Sequence, residues 1–295
     1  MSLHLTNQSK RHHYIPQFYL KGFCDATGRM HVFDKEKGTF IYRTPETIFY
    51  QHKRNTTALF GVEHDMLEQA YSLFDSINTD LIEKLRSSVD VNPFHGNPQL
   101  AVNFWLFITQ LMWRIPSSDE ALHTQIPEFD FQKLGLVLVN KQTGEKTVNP
   151  SLEALFRNEE TFTEFARLII PSTKEYKALF HTTDPNKWNI LYQDDGKHLI
   201  GDVPFIINSP SRNILDIPKG FYVPLSSDKT IIYLDPPPIE YPKMKTLALD
   251  VALFHSAERF VGGRDLEYLE AVKFLSDTYK GLEVEDFIIP TLFKD

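Results

Sequence analysis

The chain has 295 residues, a net charge of −8, 42% hydrophobic and 24% charged residues, the profile of a globular protein long enough to bury a core without staples. Its single cysteine, Cys24, permits no internal disulfide and no thiolate metal set, which excludes a zinc ribbon and fits a reducing cytoplasm. No apolar run reaches the roughly 18 to 20 residues of a membrane span, the start MSLHLTNQSKRHH lacks the apolar stretch of a signal peptide, and the acidic balance gives nucleic acid no bulk electrostatic pull.

The charge is unevenly spread. Residues 1 to 55 hold nine Lys and Arg against four Asp and Glu, so a basic opening is attached to an acidic body. Within it, KRHHYIPQFYLKGF (10–23) opens with HHYI, which Pro16 biases toward an extended conformation, and continues as a short helix ending near Gly22. In an extended segment His12 and His13 point to opposite sides. RMHVFDKEKGTFIYR then reads as a β-hairpin turning at KEKG.

Helical periodicity begins at Val62 and runs to Leu85, with Leu67, Ala70, Phe74, Ile77, Leu81 and Leu85 on one face and Glu63 in line with it in the first turn. His64, flanked by carboxylates, is expected to be exposed on that helix. PQLAVNFWLFITQLMWRIP (98–116) is apolar on nearly all sides and predicts a central buried helix, on which Asn103, Gln110 and Arg114 share one side. Buried polar groups need partners and a buried Arg needs an anion, so these three either line a cleft or form a structural network. Residues 117 to 150 are mixed, with a short strand or helix end at LGLVLVN, and SLEALFRNEETFTEFARLII (151–170) predicts a further amphipathic helix opened by Ser151.

From residue 186 the period shortens. WNILYQ, KHLIGD, PFIINS, FYVPLS and KTIIYLD form the pattern of one small antiparallel sheet, and the chain returns to helix in LALDVALFHSAERFV and RDLEYLEAVKFLSDTYKG, separated by Gly262 and Gly263. The expected fold is α+β in a single domain, 1–295, with a helical core, an N-terminal β-hairpin and a small antiparallel sheet in the C-terminal half. Its subregions are a basic aromatic segment with the hairpin (10–55), a mainly helical part (56–185), a β-rich part (186–240) and a helical end (241–295).

No Walker loop, dinucleotide-binding glycine pattern, G-x-S-x-G or H-E-x-x-H occurs. What remains is a scattered set. His12, His13, Glu63 and Asp202 are the candidate catalytic groups, as ligands of a divalent metal of undetermined identity or as acid and base. Tyr19, Asn103, Gln110, Arg114 and Ser226 are the candidate substrate-binding groups, Arg114 facing a phosphate. Each has an ordinary structural alternative: His12 and His13 as satisfied core histidines, Glu63 at a helix dipole, Asp202 and Ser226 capping turns.

The segments HHYIPQFYLKGF, GRMHVFDKEKG, ETIFYQ, VEHDMLEQ, WRIP, LIGDVPF and FYVPLSSDK together resemble a bacterial family described only as a domain of unknown function, over roughly residues 10 to 275. The opening H-H-x-x-P-x-F-Y-L-x-x-F is its most specific element. The residues that match its pattern are His12, His13, Pro16, Tyr19, Leu20, Phe23, Tyr50, Glu63, Arg114, Asp202, Pro204, Pro224 and Leu225, with Val203 standing where the family usually has an asparagine. The resemblance brings no established activity.

Two functions follow as expectations. One is a metal-assisted hydrolase or nuclease acting on a phosphate-containing substrate, with nucleic acid or a small phosphorylated ligand as partner. The other is a non-enzymatic binding module with a polar pocket for a small anionic ligand or a protein partner.

Overall fold

A computed structural model describes residues 10–59, 62–125, 138–139, 142–147, 160–172, 184–193, 195–209, 220–234, 243–279, 284 and 288–293. The fold is α+β, as expected. The strands are β1 (Arg11–His13), β2 (Met30–Asp34), β3 (Thr39–Arg43), β4 (Tyr50–His52), β5 (Thr57–Leu59), β6 (Val62–His64), β7 (Leu138–Val139), β8 (Lys146–Thr147), β9 (Trp188–Tyr192), β10 (Ile200–Gly201), β11 (Ile206–Ile207), β12 (Phe221–Ser226), β13 (Lys229–Tyr233) and β14 (Phe260–Gly263). The helices are α1 (Gln17–Leu20), α2 (Met66–Ser87), α3 (Pro98–Arg114), α4 (Asp119–Gln125), α5 (Glu160–Ile169), α6 (Lys243–Ser256), α7 (Leu266–Thr278) and α8 (Ile289–Leu292). Among the described residues no helix is long and apolar enough to cross a membrane.

Two four-stranded antiparallel sheets carry the architecture, one in the order β10-β14-β2-β3 and the other β11-β12-β13-β9. The second sheet is buried on both faces, and its period of two sorts the side chains. Phe221, Val223, Leu225, Ile231 and Tyr233 join a core with the opening segment and α3, whereas Tyr222 and Ile232 join a second core with α6 and α7. That is why FYVPLS reads as a continuous apolar run: it has no solvent face.

The opening segment belongs to the first core. Pro16 begins α1, which accommodates a single turn before a tighter turn at Lys21–Phe23, and Tyr19, Leu20 and Phe23 are fully buried. A one-turn helix leaves its last carbonyls without intrahelical donors. Arg86 of α2 supplies them, donating to the carbonyls of Phe18 (3.1 Å), Tyr19 (2.6 Å) and, across the core, Leu225 (3.0 Å). Gly22 makes this approach feasible, because a Cβ there would lie 2.3 Å from the Arg86 guanidinium.

Three expectations need correction. Glu63 and His64 are not in the first turn of a helix: Val62–His64 pairs with Thr57–Leu59 as a hairpin, and α2 starts at Met66. The buried face of α2 is also rotated, with Leu67, Tyr71, Asn78, Leu81, Ile82 and Leu85 inside and Ile77 62% exposed, because Tyr71 and Asn78 take core positions. Finally, the β-rich runs do not form one sheet. The chain leaves β10 through Gly201–Pro204 and crosses to the second sheet at β11, while β10 pairs with β14, a strand hidden in the ERFVGG stretch that reads as helix end and spacer. The start of the helix expected over 151–170 lies outside the described residues; its described part is α5.

Candidate functional site

The four candidate catalytic side chains are each engaged by their own neighbours. β1 pairs with β4, His12 opposite Gln51 and His13 opposite Tyr50. The His12 Nδ1 accepts the backbone N–H of Asn55 at 2.8 Å and lies 3.9 Å from Glu68, which itself receives the Asn55 amide at 2.7 Å. The imidazole thus fixes the turn after β4. His13 has both ring nitrogens occupied: Nε2–H donates to the Pro45 carbonyl at 3.1 Å and Nδ1 accepts from Gln17 at 3.2 Å, which assigns the neutral Nε2–H tautomer. Burial, reinforced by the nearby Arg114 charge, lowers its pKa below the ordinary histidine value, opposed by the bond to Pro45.

Glu63 is 65% exposed and paired with Lys53 at 2.7 Å. Asp202 is buried, and its carboxylate accepts three consecutive backbone N–H groups, from Glu258 (2.8 Å), Arg259 (2.7 Å) and Phe260 (3.0 Å), so it holds the entry to β14. Burial raises its pKa above the ordinary aspartate value, an effect that the three donors offset only in part. Among the described residues no three His, Cys, Asp or Glu side chains gather closely enough to hold a metal ion. The donor set expected for a divalent metal therefore does not fit one here.

The candidate binding residues divide. Gln110 and Arg114 do meet, around a void of about 10 Å³ shared with Tyr71, Asp75 and Asn78, a space for one water at most. Arg114 is buried, donating to the His13 carbonyl at 2.8 Å and to Asp75 at 2.6 Å, and its guanidinium lies 4.6 Å from the centre of the Tyr71 ring. The anion a buried Arg requires is thus Asp75, and the network is structural. Asn103 is exposed and accepts from Gln99 at 2.9 Å, away from that void. The Tyr19 hydroxyl donates to the Pro224 carbonyl in the core, and Ser226 donates to Asp228 at 2.6 Å across the β12–β13 turn.

A different hollow is large enough for a ligand. It encloses about 450 Å³ over the face of β2 and β3, walled by residues 47 to 52 and by the start of β14. Lys37, Arg43 and Arg259 face Asp34 as the single carboxylate of the lining, with Ile41, Phe49, Tyr50 and Phe260 as its apolar part and His52 at the wall. Asp34 is buried and accepts the backbone N–H groups of Glu36 (3.1 Å) and Lys37 (3.3 Å), so it shapes the β2–β3 turn that presents Lys37. Arg259 sits 4.6 Å over the Phe260 ring and reaches Glu36 at 3.1 Å, and Arg11 lies 5.3 Å over Tyr50.

The wall carries backbone strain. Phe49 has φ of +52°, a left-handed conformation costing a residue with a side chain about 1–2 kcal/mol. Its fully buried ring, packed edge-on against Tyr14 and Phe260, and its carbonyl, bonded to the Tyr14 N–H at 3.1 Å, hold it there. The opening motif is what creates this wall, since β1 holds β4 in register beside it.

The family model described as protein of unknown function (DUF4238) matches residues 11–261, from the first residue of β1 to the second of β14. The chain belongs to this family. Neither a curated protein nor a solved structure matches it. The DUF4238 match thus covers the second sheet, the first sheet up to the middle of β14, and all the lining of the groove. Of that lining, Tyr50 is the one residue among those that match the family pattern; Lys37 and Arg43 are signalled in the sequence only by the basic balance of residues 1 to 55, and Arg259 by nothing local.

Proposed function

We propose that this protein is a binding module that takes an anionic group in the groove between the β2–β3 face and the residue 47–52 wall. The observation that carries the reading is the lining itself: Lys37, Arg43 and Arg259 over aromatic residues in about 450 Å³, a net positive cluster even with Asp34 paired to Lys37 and Arg259 and Glu36 paired to Arg259, on a chain of net charge −8. A local positive field in an acidic body concentrates anions where the body repels them elsewhere. Aromatic and aliphatic floor residues supply apolar contact, and the charged rim supplies orientation.

Calorimetric titration with inorganic pyrophosphate tests it. Saturable binding that weakens with salt is expected, reduced roughly tenfold in the double variant Lys37→Gln, Arg43→Gln, since each lost charge-assisted contact is worth about 1.5–3 kcal/mol before screening at exposed positions. Affinity unchanged in that variant overturns the reading. A phosphodiester cleavage screen with magnesium and manganese is expected to give no turnover attributable to His12, His13 or Asp202.

A further inference from the structure

We infer that the anion this groove takes is carried by an extended acidic peptide, which adds as a fifth strand to the free outer edge of β3. The inference rests on the anion-groove reading above and names its ligand class. β3 ends its sheet, and among the described residues no strand pairs with its outer side. Among the described residues no backbone group of residues 39–43 bonds to other backbone outside the β2–β3 ladder, and the Tyr42 carbonyl accepts from the neighbouring Arg43 guanidinium at 3.2 Å. An open strand edge is a template for a peptide's own N–H and C=O groups, with alternate side chains supplying specificity.

Charge and register choose the occupant. Ile41 and Arg43 lie on the groove face of β3, while Phe40 and Tyr42 lie on the other, where Tyr42 stacks on His31 at 4.5 Å. A strand laid beside β3 points every second side chain over the groove, at intervals of roughly 6.8 Å, toward Lys37, Arg43 and Arg259. Acidic residues fit there, and apolar residues fit between them beside Phe40 and Tyr42. A second copy of this chain is disfavoured as the occupant, because pairing β3 with β3 sets the cations of one copy near those of the other.

The test uses the full chain and a fluorescein-labelled acetyl-Glu-Val-Glu-Val-Glu-Val amide peptide, followed by anisotropy. The parent peptide is expected to bind saturably. N-methylation of one alternate set of its amides is expected to weaken binding about tenfold, and methylation of the other set to leave it within twofold, because only one edge of the peptide faces β3. Replacing its Glu by Gln, or Arg43 by Glu, is expected to weaken binding tenfold or more. Equal affinity of parent and both methylated peptides overturns strand addition, and the groove reading stands if Arg43→Glu still weakens pyrophosphate binding. Pyrophosphate binding without peptide binding overturns the inference alone; loss of both overturns the two together. Sedimentation showing a dimer that Arg43→Glu strengthens assigns the edge to a second copy and also overturns it.

Discussion

Asp202→Ala separates a structural carboxylate from a catalytic one. In the folded chain this side chain is the acceptor for three successive amides, at 2.7 to 3.0 Å, and alanine leaves all three without it. The Phe260 amide is buried and loses its partner outright, about 1–3 kcal/mol, while the amides of the exposed residues Glu258 and Arg259 regain water in part and cost about 1 kcal/mol each. The sum is about 3–5 kcal/mol, which for a chain of this size lowers Tm by about 5–8 °C. Differential scanning calorimetry at neutral pH, with urea unfolding at 25 °C as a second measure, reads it directly. A catalytic carboxylate behaves in the opposite sense, since keeping it buried costs stability and its removal leaves Tm unchanged or higher. Asp202→Ala as stable as the parent to within about 0.5 kcal/mol would therefore refute the structural assignment.

Arg114→Met is expected to cost about 3–5 kcal/mol in urea unfolding, because it strands Asp75 and the His13 carbonyl together; a loss under 1 kcal/mol counts against the network. His13 titrates below the ordinary histidine value of 6.5 when folded, so the unfolded chain binds more protons at mildly acid pH, and the stability this group contributes is complete above pH 6.5 and is lost as pH falls through the folded pKa. His13→Gln should accordingly show a flatter decline of stability from pH 7.5 to 5 than the parent, and parallel curves would be the contrary outcome. Gly262→Ala places a Cβ 2.5 Å from Met30 Cε and 3.1 Å from the His31 carbonyl, and the backbone atom cannot step aside; a loss of about 1–3 kcal/mol is expected by thermal unfolding, only partly recovered by adding Met30→Ala.

Local signals in the sequence were sufficient wherever a segment's structure depends on itself. Pro16 located α1, the KEKG turn located the β2–β3 hairpin, and the apolar run bounded by prolines located α3, all as the structure has them. The errors fall where a distant partner decides. β14 is extended because Asp202, 58 positions from Phe260, takes its amide, and no window of sequence around Phe260 contains that carboxylate. Likewise the face of α2 is set by Tyr71 under Arg114 and by Asn78 beside Gln110, which outweigh the tidier stripe that includes Ile77. The candidate residues look reactive in the sequence because they are polar on apolar elements. That pattern is equally what a folded chain needs when a one-turn helix, a short two-stranded ladder and a sheet crossing all leave backbone groups to satisfy.

This accounts for the opening peptide. Its histidines hold the β4 turn and the Pro45 loop, its Tyr19 reaches the β12 backbone, and its carbonyls receive Arg114 and Arg86, so nearly every polar group in it is used to fasten other segments. The left-handed Phe49 is held by Tyr14, which supplies both a ring beside it and an amide to its carbonyl, together with the Phe260 ring. Remove that hold and the wall of the groove has no reason to stay over β3. The motif therefore shapes the wall of the groove without lining it: Arg11, at its exposed end, lies over Tyr50, whereas His12 and His13 stay buried beneath. A substitution in the motif and one in the groove should thus be told apart by what they cost. The first lowers stability and binding together, and Lys37 or Arg43, exposed and bonded to little else, lowers binding alone.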